Sequence, residues 1–126
     1  MTGDATVAAD RLMLRRALGN LLSNAIRHAT PHSRLTVDIA THQGMASIAV
    51  ENSGEVIPAE FLERIFDRFF RVDASRQRTE GTGLGLAIAK SIVLAHGGRI
   101  SASSSQALTR FTVQLPQTAE TRSDRP

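Results

Sequence analysis

Two stretches of this chain carry residue types whose spacing could handle phosphate and a divalent cation. In "NLLSNAIRH", Asn20, Asn24 and Arg27 lie at i, i+4 and i+7. At about 100° per helical residue they share one band, with Arg16 and His28 at its borders. Asparagine favours caps and turns over helix interiors, so two of them one turn apart ask for a reason. Their amide oxygens suit Mg²⁺, a hard cation that shares its sites between water and ligand phosphates, and Arg27 suits a phosphate oxygen. The alternative is a solvated polar face with one asparagine bonded to a neighbouring loop. In "GTGLGLAIAKS", Gly81, Gly83 and Gly85 recur with period two and open onto a helical stretch. Glycines let backbone N–H groups approach phosphate oxygens, and a helix start adds roughly half a positive charge. Here the alternative is a flexible, glycine-rich helix start.

Two familiar phosphate loops do not fit this glycine run. The dinucleotide fingerprint needs a third glycine where Leu86 stands, and it follows a strand, whereas a charged loop precedes Gly81. The Walker pattern matches only at Lys90 and Ser91; Leu84 and Ala89 stand where its glycines belong.

The elements that must position these residues are readable from periodicity. Asp10 is a helix N-cap, and Leu14, Leu18, Leu21, Leu22 and Ala25 form the buried stripe of a helix running to about Ala29, stopped by "TPHS". "RLTVDIA" and "MASIAVE", joined through Gly44, read as a hairpin with Leu35, Val37 and Ile39 inward. Pro58 suits the first turn of a short helix, "AEFLERIF", burying Phe61, Leu62 and Ile65. The charged stretch from Arg71 to Gly83 reads as a mobile surface loop, polar and poorly ordered from Val72 to Glu80. A second long helix from Leu84 carries Leu86, Ala89, Ile92 and Val93 inward and ends at Gly97 or Gly98 in a left-handed cap. "RISASS" and "LTRFTVQLP" make a second hairpin, and residues 117–126 a frayed, disordered tail. Helices mixed with hairpins, without strict strand–helix alternation, indicate an α/β fold: a two-layer α/β sandwich with helices packed on one face of a mixed sheet.

Composition narrows the partners. The 126 residues suit one domain, and they include no Cys, Trp or Tyr, so disulfides, thiolate metal sites and most base-stacking platforms are excluded. Lys90 is the only lysine in a chain of formal charge +3, leaving arginine, the bidentate phosphate binder, as the main cation. Because the basic residues are scattered among acids, nucleotide phosphates are favoured over a nucleic acid. His32, His42 and His96 have no metal-ligand spacing and read as surface or packing residues. No stretch reaches the ~20 apolar residues of a membrane span, and "MTGDATVAAD" lacks the order of a signal peptide, so no direct membrane contact is expected of this segment.

In order and spacing, "NLLSNAIRH", "NSGEVIP", "FDRFFR" and "GTGLGLAIAKSIVLAHGG" resemble the N, G1, F and G2 boxes of the catalytic ATP-binding domain of sensor histidine kinases. The resemblance covers about Asp10 to Pro116, and "RVDASRQR" looks most like the heavy-metal sensor branch. It implies a Bergerat (GHKL) fold over residues 1–116, with ATP between the helices and a mobile lid. It further implies Asn24 as the principal Mg²⁺ ligand with Asn20 assisting, and Arg27 and His28 facing the phosphates. Gly81, Thr82, Gly83, Leu84 and Gly85 would close the lid on the triphosphate, Arg71 would reach the γ-phosphate, and Phe66 and Phe70 would set the lid or pack the core. The family's G1 box opens on an aspartate that accepts from the adenine amino group; here Asn52 stands there, with Gly54 kept and Val56 replacing the second glycine. Asparagine keeps an acceptor oxygen but loses a charge-assisted bond, about 1 kcal/mol or more in a dry site. Thr109 is a further base-pocket residue, though Leu108 replaces the glycine usual before it.

Phosphoryl transfer asks mainly for positioning and charge neutralisation, which such a site supplies without a general base. The resemblance implies a nucleophilic histidine on a separate dimerisation domain, a response regulator acting indirectly, and a cytosolic segment of an inner-membrane sensor kinase. No histidine here lies in an "SHELRTP"-like segment. The family domain begins with a further helix and strand, for which "TGDATVAA" leaves no room, so a truncated start with a compromised sheet edge is expected. Another ATPase or serine kinase of the same fold, or a nucleotide-binding module without turnover, are the alternatives; "FDRFFR" and the short lid favour the histidine kinase.

Overall fold

The computed structural model describes residues 9–68, 70 and 84–117. Helix α1 spans Arg11–His28. Asp10 starts it in extended backbone, and its carboxylate accepts from the Met13 N–H at 3.1 Å. The expected stripe faces inward, with Ala17, Leu21 and Ala25 fully buried and Leu14, Leu18 and Leu22 packed beside them. After the helix, the Thr30 N–H donates to the Ser53 carbonyl at 2.9 Å, tying its exit to the sheet.

Strands β1 (Thr36–His42) and β2 (Met45–Ser53) form the first hairpin. Gln43 and Gly44 have φ values of 52° and 79°. Two consecutive left-handed residues twist a tight turn to match the strands. Strands β3 (Arg99–Ser105) and β4 (Leu108–Pro116) form the second hairpin. Its turn has the same geometry without a glycine, with Gln106 at φ 51° and Ala107 at φ 65°. The sheet order is β1-β2-β4-β3, and every pairing among these described strands is antiparallel.

Register decides which side chains meet the helices. Asn52 opposes Thr109, Val50 opposes Phe111, Ile48 opposes Val113 and Ala46 opposes Leu115. With period-two alternation these pairs line one face, which Val37 and Ile39 extend on β1 and Ile100 and Ala102 extend on β3. The core is therefore apolar except at one end, where Asn52 and Thr109 are buried. The opposite face is polar: Arg110 lies 3.7 Å from both Asp38 and Glu51 in half-exposed pairs that contribute little stability.

Helix α2 spans Gly85–Ala95 and buries Ala89, Ile92 and Val93. Its N-terminus meets Asn20 and its C-terminus meets Asp10, so the two helices run antiparallel across the sheet. The two glycines after it have different reasons. Gly97 takes the left-handed cap at φ 76°. At Gly98 a Cβ would collide with the Gln114 carbonyl. Two helices on one face of the sheet make the two-layer α/β sandwich.

The short helix expected after Pro58 is corrected. Residues Ala59–Phe61 and Arg64–Phe66 form two separate 3-10 turns. Bonds from Leu62 N to Ala59 O and from Asp67 N to Arg64 O close three-residue spans, and so short a segment gains too few bonds to sustain a helix. Ile65 and Phe66 are buried, whereas Phe61 and Leu62 are only half-buried.

Candidate nucleotide site

The polar band of α1 lies against the start of α2. Asn20 donates from Nδ2 to the Gly85 carbonyl at 3.1 Å. A carbonyl only accepts, so the amide end facing Gly85 is the NH₂ and Oδ1 is the end turned elsewhere. Asn24, one turn on, is half-buried like Asn20, and Arg27 and His28 are exposed at the helix end. Among the described residues no three His, Asp or Glu side chains gather as metal ligands, and the oxygens this band offers are asparagine amides. Such hard oxygen donors fit Mg²⁺ with phosphate and water completing its shell.

Beside this band, α2 begins without protection. Leu84 occupies the N-cap position, no side chain among the described residues caps the first turn, and that turn holds no acidic residue. The first N–H groups of a helix have no intrahelical partner, so a start of this kind has the chemistry to take an anion. The position of a Cβ on Gly85 falls 3.9 Å from the Asn20 side chain, which puts this helix start directly on the asparagine band.

At the other end lies the buried polar pair. Asn52 is 3% and Thr109 4% exposed, as neighbours across β2 and β4. Asn52 Nδ2 donates to the Ser53 carbonyl at 3.0 Å. The Thr109 hydroxyl lies 2.8 Å from Ser104 Oγ, which accepts from the Ile57 N–H at 2.8 Å. Gly54 donates to the Ala107 carbonyl at 2.9 Å, and a Cβ there would collide with the His28 carbonyl. The glycine lets the loop after β2 close onto the end of α1.

Sequence reasoning thus finds Asn20, Asn24, Leu84 and Gly85 in one place, and Asn52, Gly54 and Thr109 in another, with Arg27 and His28 on the helix end next to Gly54. Arg71, Gly81, Thr82, Gly83 and the expected lid lie outside the described residues. Phe66 packs in the core, edge-on to Phe111 with centroids 6.0 Å apart, and Phe70 meets Phe61 in a tilted contact at 5.5 Å, with Arg64 over its ring. Ser104 and Ile57 were not anticipated. The signal for Ser104 was present, since it follows Ile100 and Ala102 with inward parity and is polar. His96 packs as expected but does more: Nδ1 bonds the Ile92 carbonyl at 2.8 Å and Nε2 accepts from the Asp10 N–H at 3.0 Å.

A family model described as histidine kinase-, DNA gyrase B-, and HSP90-like ATPase matches residues 9–119. The sensor histidine kinase CusS of Escherichia coli K12 is 52% identical over 111 residues, 87% of this chain and 23% of CusS. The chain therefore spans about a quarter of that relative's length. Among solved structures, the catalytic domain of histidine kinase ThkA superposes with a TM-score of 0.79 at 34% identity, covering 92% of this chain and 74% of that one. ThkA in complex with the response regulator protein TrrA matches with a TM-score of 0.77 at 30% identity, over 96% of this chain and 33% of that one.

Proposed function

We propose that this chain, which belongs to the family of histidine kinase-, DNA gyrase B- and HSP90-like ATPases, is the ATP-binding catalytic domain of a sensor histidine kinase of the heavy-metal branch. It binds Mg²⁺-ATP and passes the γ-phosphoryl group to a histidine on a separate dimerisation domain, upstream of a response regulator. The observation that carries this reading is the uncapped start of α2 lying on the asparagine band of α1. The half identity to CusS and the run "RVDASRQR" support the branch, and the ThkA–TrrA complex supports the response regulator. The catalytic unit is residues 1–116, a cytosolic segment of an inner-membrane kinase; among the described residues no helix is long and apolar enough to cross a membrane.

Each residue's task follows from its chemistry. The N–H groups opening α2 at Gly85, with Leu84 and the glycines before it, hold phosphate oxygens and offset their charge. Arg27 and His28 approach the phosphates from the end of α1, and Arg71 reaches the γ-phosphate. Asn24, with Asn20, holds Mg²⁺, which when bound screens the triphosphate charge and orients the γ-phosphoryl group. Asn52 accepts from the adenine amino group and Thr109 borders the base, with Gly54 keeping that end closed. Nothing here needs a general base, because the attacking imidazole belongs to the partner domain.

The test is phosphate transfer. Incubated with γ-labelled ATP, Mg²⁺ and the separately prepared dimerisation domain of its own kinase, the chain labels the partner's histidine. Label released entirely as inorganic phosphate, with none on the partner, would overturn the kinase reading and leave a plain ATPase.

A further inference from the structure

We propose that His96 is the positioning residue that holds α2 in line with α1, so that the open start of α2 stays on the asparagine band. This rests on the reading of that start and that band as the phosphate end of a nucleotide site.

On that reading the first N–H groups of α2 are reserved for a ligand, so a cap cannot fix the helix at that end. Leu84 stands in the N-cap position, with no capping side chain among the described residues and no acid in the first turn. An anchor has to lie at the other end, 11 residues or about 16 Å along the helix. Ala89, Ile92 and Val93 join the core cluster with Ala17 and Leu21. Such apolar contact is non-directional, whereas a hydrogen bond fixes distance and angle at a named atom. Asn20 supplies one such bond at the site end, from Nδ2 to the Gly85 carbonyl at 3.1 Å. The far end has its counterpart, from the Asp10 N–H to His96 Nε2 at 3.0 Å.

Both ring nitrogens of His96 face one-way partners. The Ile92 carbonyl only accepts and lies 2.8 Å from Nδ1, so Nδ1 carries the proton. The Asp10 N–H only donates, so Nε2 presents its lone pair. The ring is therefore in its Nδ1–H tautomer, and one rigid plane joins the last turn of α2 to the entry of α1. That last turn is itself closed: Gly97 takes φ 76°, and the Gly98 N–H donates to the Val93 carbonyl at 2.9 Å.

Asp10 allows this tie to be cut separately from the cap of α1. Its carboxylate accepts from the Met13 N–H, while its backbone N–H is the group that reaches His96. Asp10→Ala removes the cap and keeps the tie. Asp10→Pro removes both, and the Asp10 φ of −70° is one that proline adopts. The difference between these two variants isolates the N–H.

The experiment is calorimetric titration of AMP-PNP, a nonhydrolysable ATP analogue, with Mg²⁺ on the wild-type chain and on His96→Ala, His96→Gln, Asp10→Ala and Asp10→Pro. Thermal unfolding checks the folding of each, and nitrogen NMR of the imidazoles reports the His96 tautomer in wild type. The His96 spectrum is expected to show a protonated Nδ1 and a bare Nε2. His96→Ala should bind about fivefold more weakly, the scale of one hydrogen bond. His96→Gln, whose Oε1 reaches the place of Nε2 and accepts from the Asp10 N–H, recovers most of that loss. Asp10→Ala keeps wild-type affinity despite its lost cap, and Asp10→Pro falls about fivefold below it. A purely structural His96 would lower the thermal midpoint and leave the affinity of the folded chain untouched. Wild-type affinity in folded His96→Ala, or equal affinity in Asp10→Pro and Asp10→Ala, therefore overturns the positioning role and leaves the nucleotide site standing. A protonated Nε2 with a bare Nδ1 overturns it as well. A folded wild type that does not bind AMP-PNP overturns the nucleotide reading, and the positioning role with it.

Discussion

The two helices of this domain begin in opposite ways. The start of α1 is closed twice over: the Asp10 carboxylate accepts from Met13 N–H, and the Asp10 N–H is taken by His96 from the far end of α2. The start of α2 has Leu84 in the capping position, no capping side chain among the described residues and no acid in its first turn. Both helices leave the same unpaired N–H groups at their N-termini, and both pack on the same sheet. At α1 those groups stabilise the fold. At α2 the proposed function keeps them for a ligand, and Asn20 donates to the Gly85 carbonyl, a group that does not compete for anions. A helix start without the cap its neighbour has is therefore a functional signal when a second polar element lies against it.

The largest effect should come from making the two starts alike. Leu84→Asp places a carboxylate at the open end, where it caps the helix and repels phosphate. AMP-PNP binding is expected to weaken tenfold or more, while the thermal midpoint rises with about 1 kcal/mol of added stability. Titration and thermal unfolding on one preparation check both halves. Unchanged affinity with raised stability would mean that α2's start does not meet phosphate. The converse change is smaller: Asp10→Ala removes the cap of α1 and should cost about 1 kcal/mol by denaturant unfolding, with AMP-PNP affinity unchanged. Smallest is His96→Ala, which leaves the Asp10 N–H to water at an exposed position. It should cost about 0.5–1 kcal/mol, and less in an Asp10→Ala background, because both residues act on the same helix start.

Much of this contrast was legible in the sequence. Asp10 before an apolar stripe is a capping signal, and two asparagines a turn apart in a helix interior conflict with local propensity, which is why they stand out as candidate ligands. Gly44 announced the hairpin turn and Gly97 was one of two candidates for the helix cap, and both adopt left-handed backbone. Other features depend on contacts distant in sequence. The spacing of Phe61, Leu62 and Ile65 fits a helix as well as two 3-10 turns, and only the short tethered span decides between them. The turn at Gln106 and Ala107 adopts left-handed backbone without a glycine, held where the Ala107 carbonyl accepts from Gly54. Ser104 looked like one serine among several on β3; its partners Ile57 and Thr109 come from a loop and a neighbouring strand. Gly98, the alternative to Gly97 as the left-handed cap, instead makes room for the Gln114 carbonyl.

The central claim is that a triphosphate is held between the asparagine band of α1 and the open start of α2. Calorimetric titration of AMP-PNP into the wild-type chain and into Asn24→Ala, each with and without Mg²⁺, tests it most directly. The account predicts Mg²⁺-dependent binding by wild type that falls about a hundredfold in Asn24→Ala, to the weak level seen without the metal, at an unchanged thermal midpoint. Binding that ignores both Mg²⁺ and Asn24 would contradict it, as would a folded wild-type chain that does not bind.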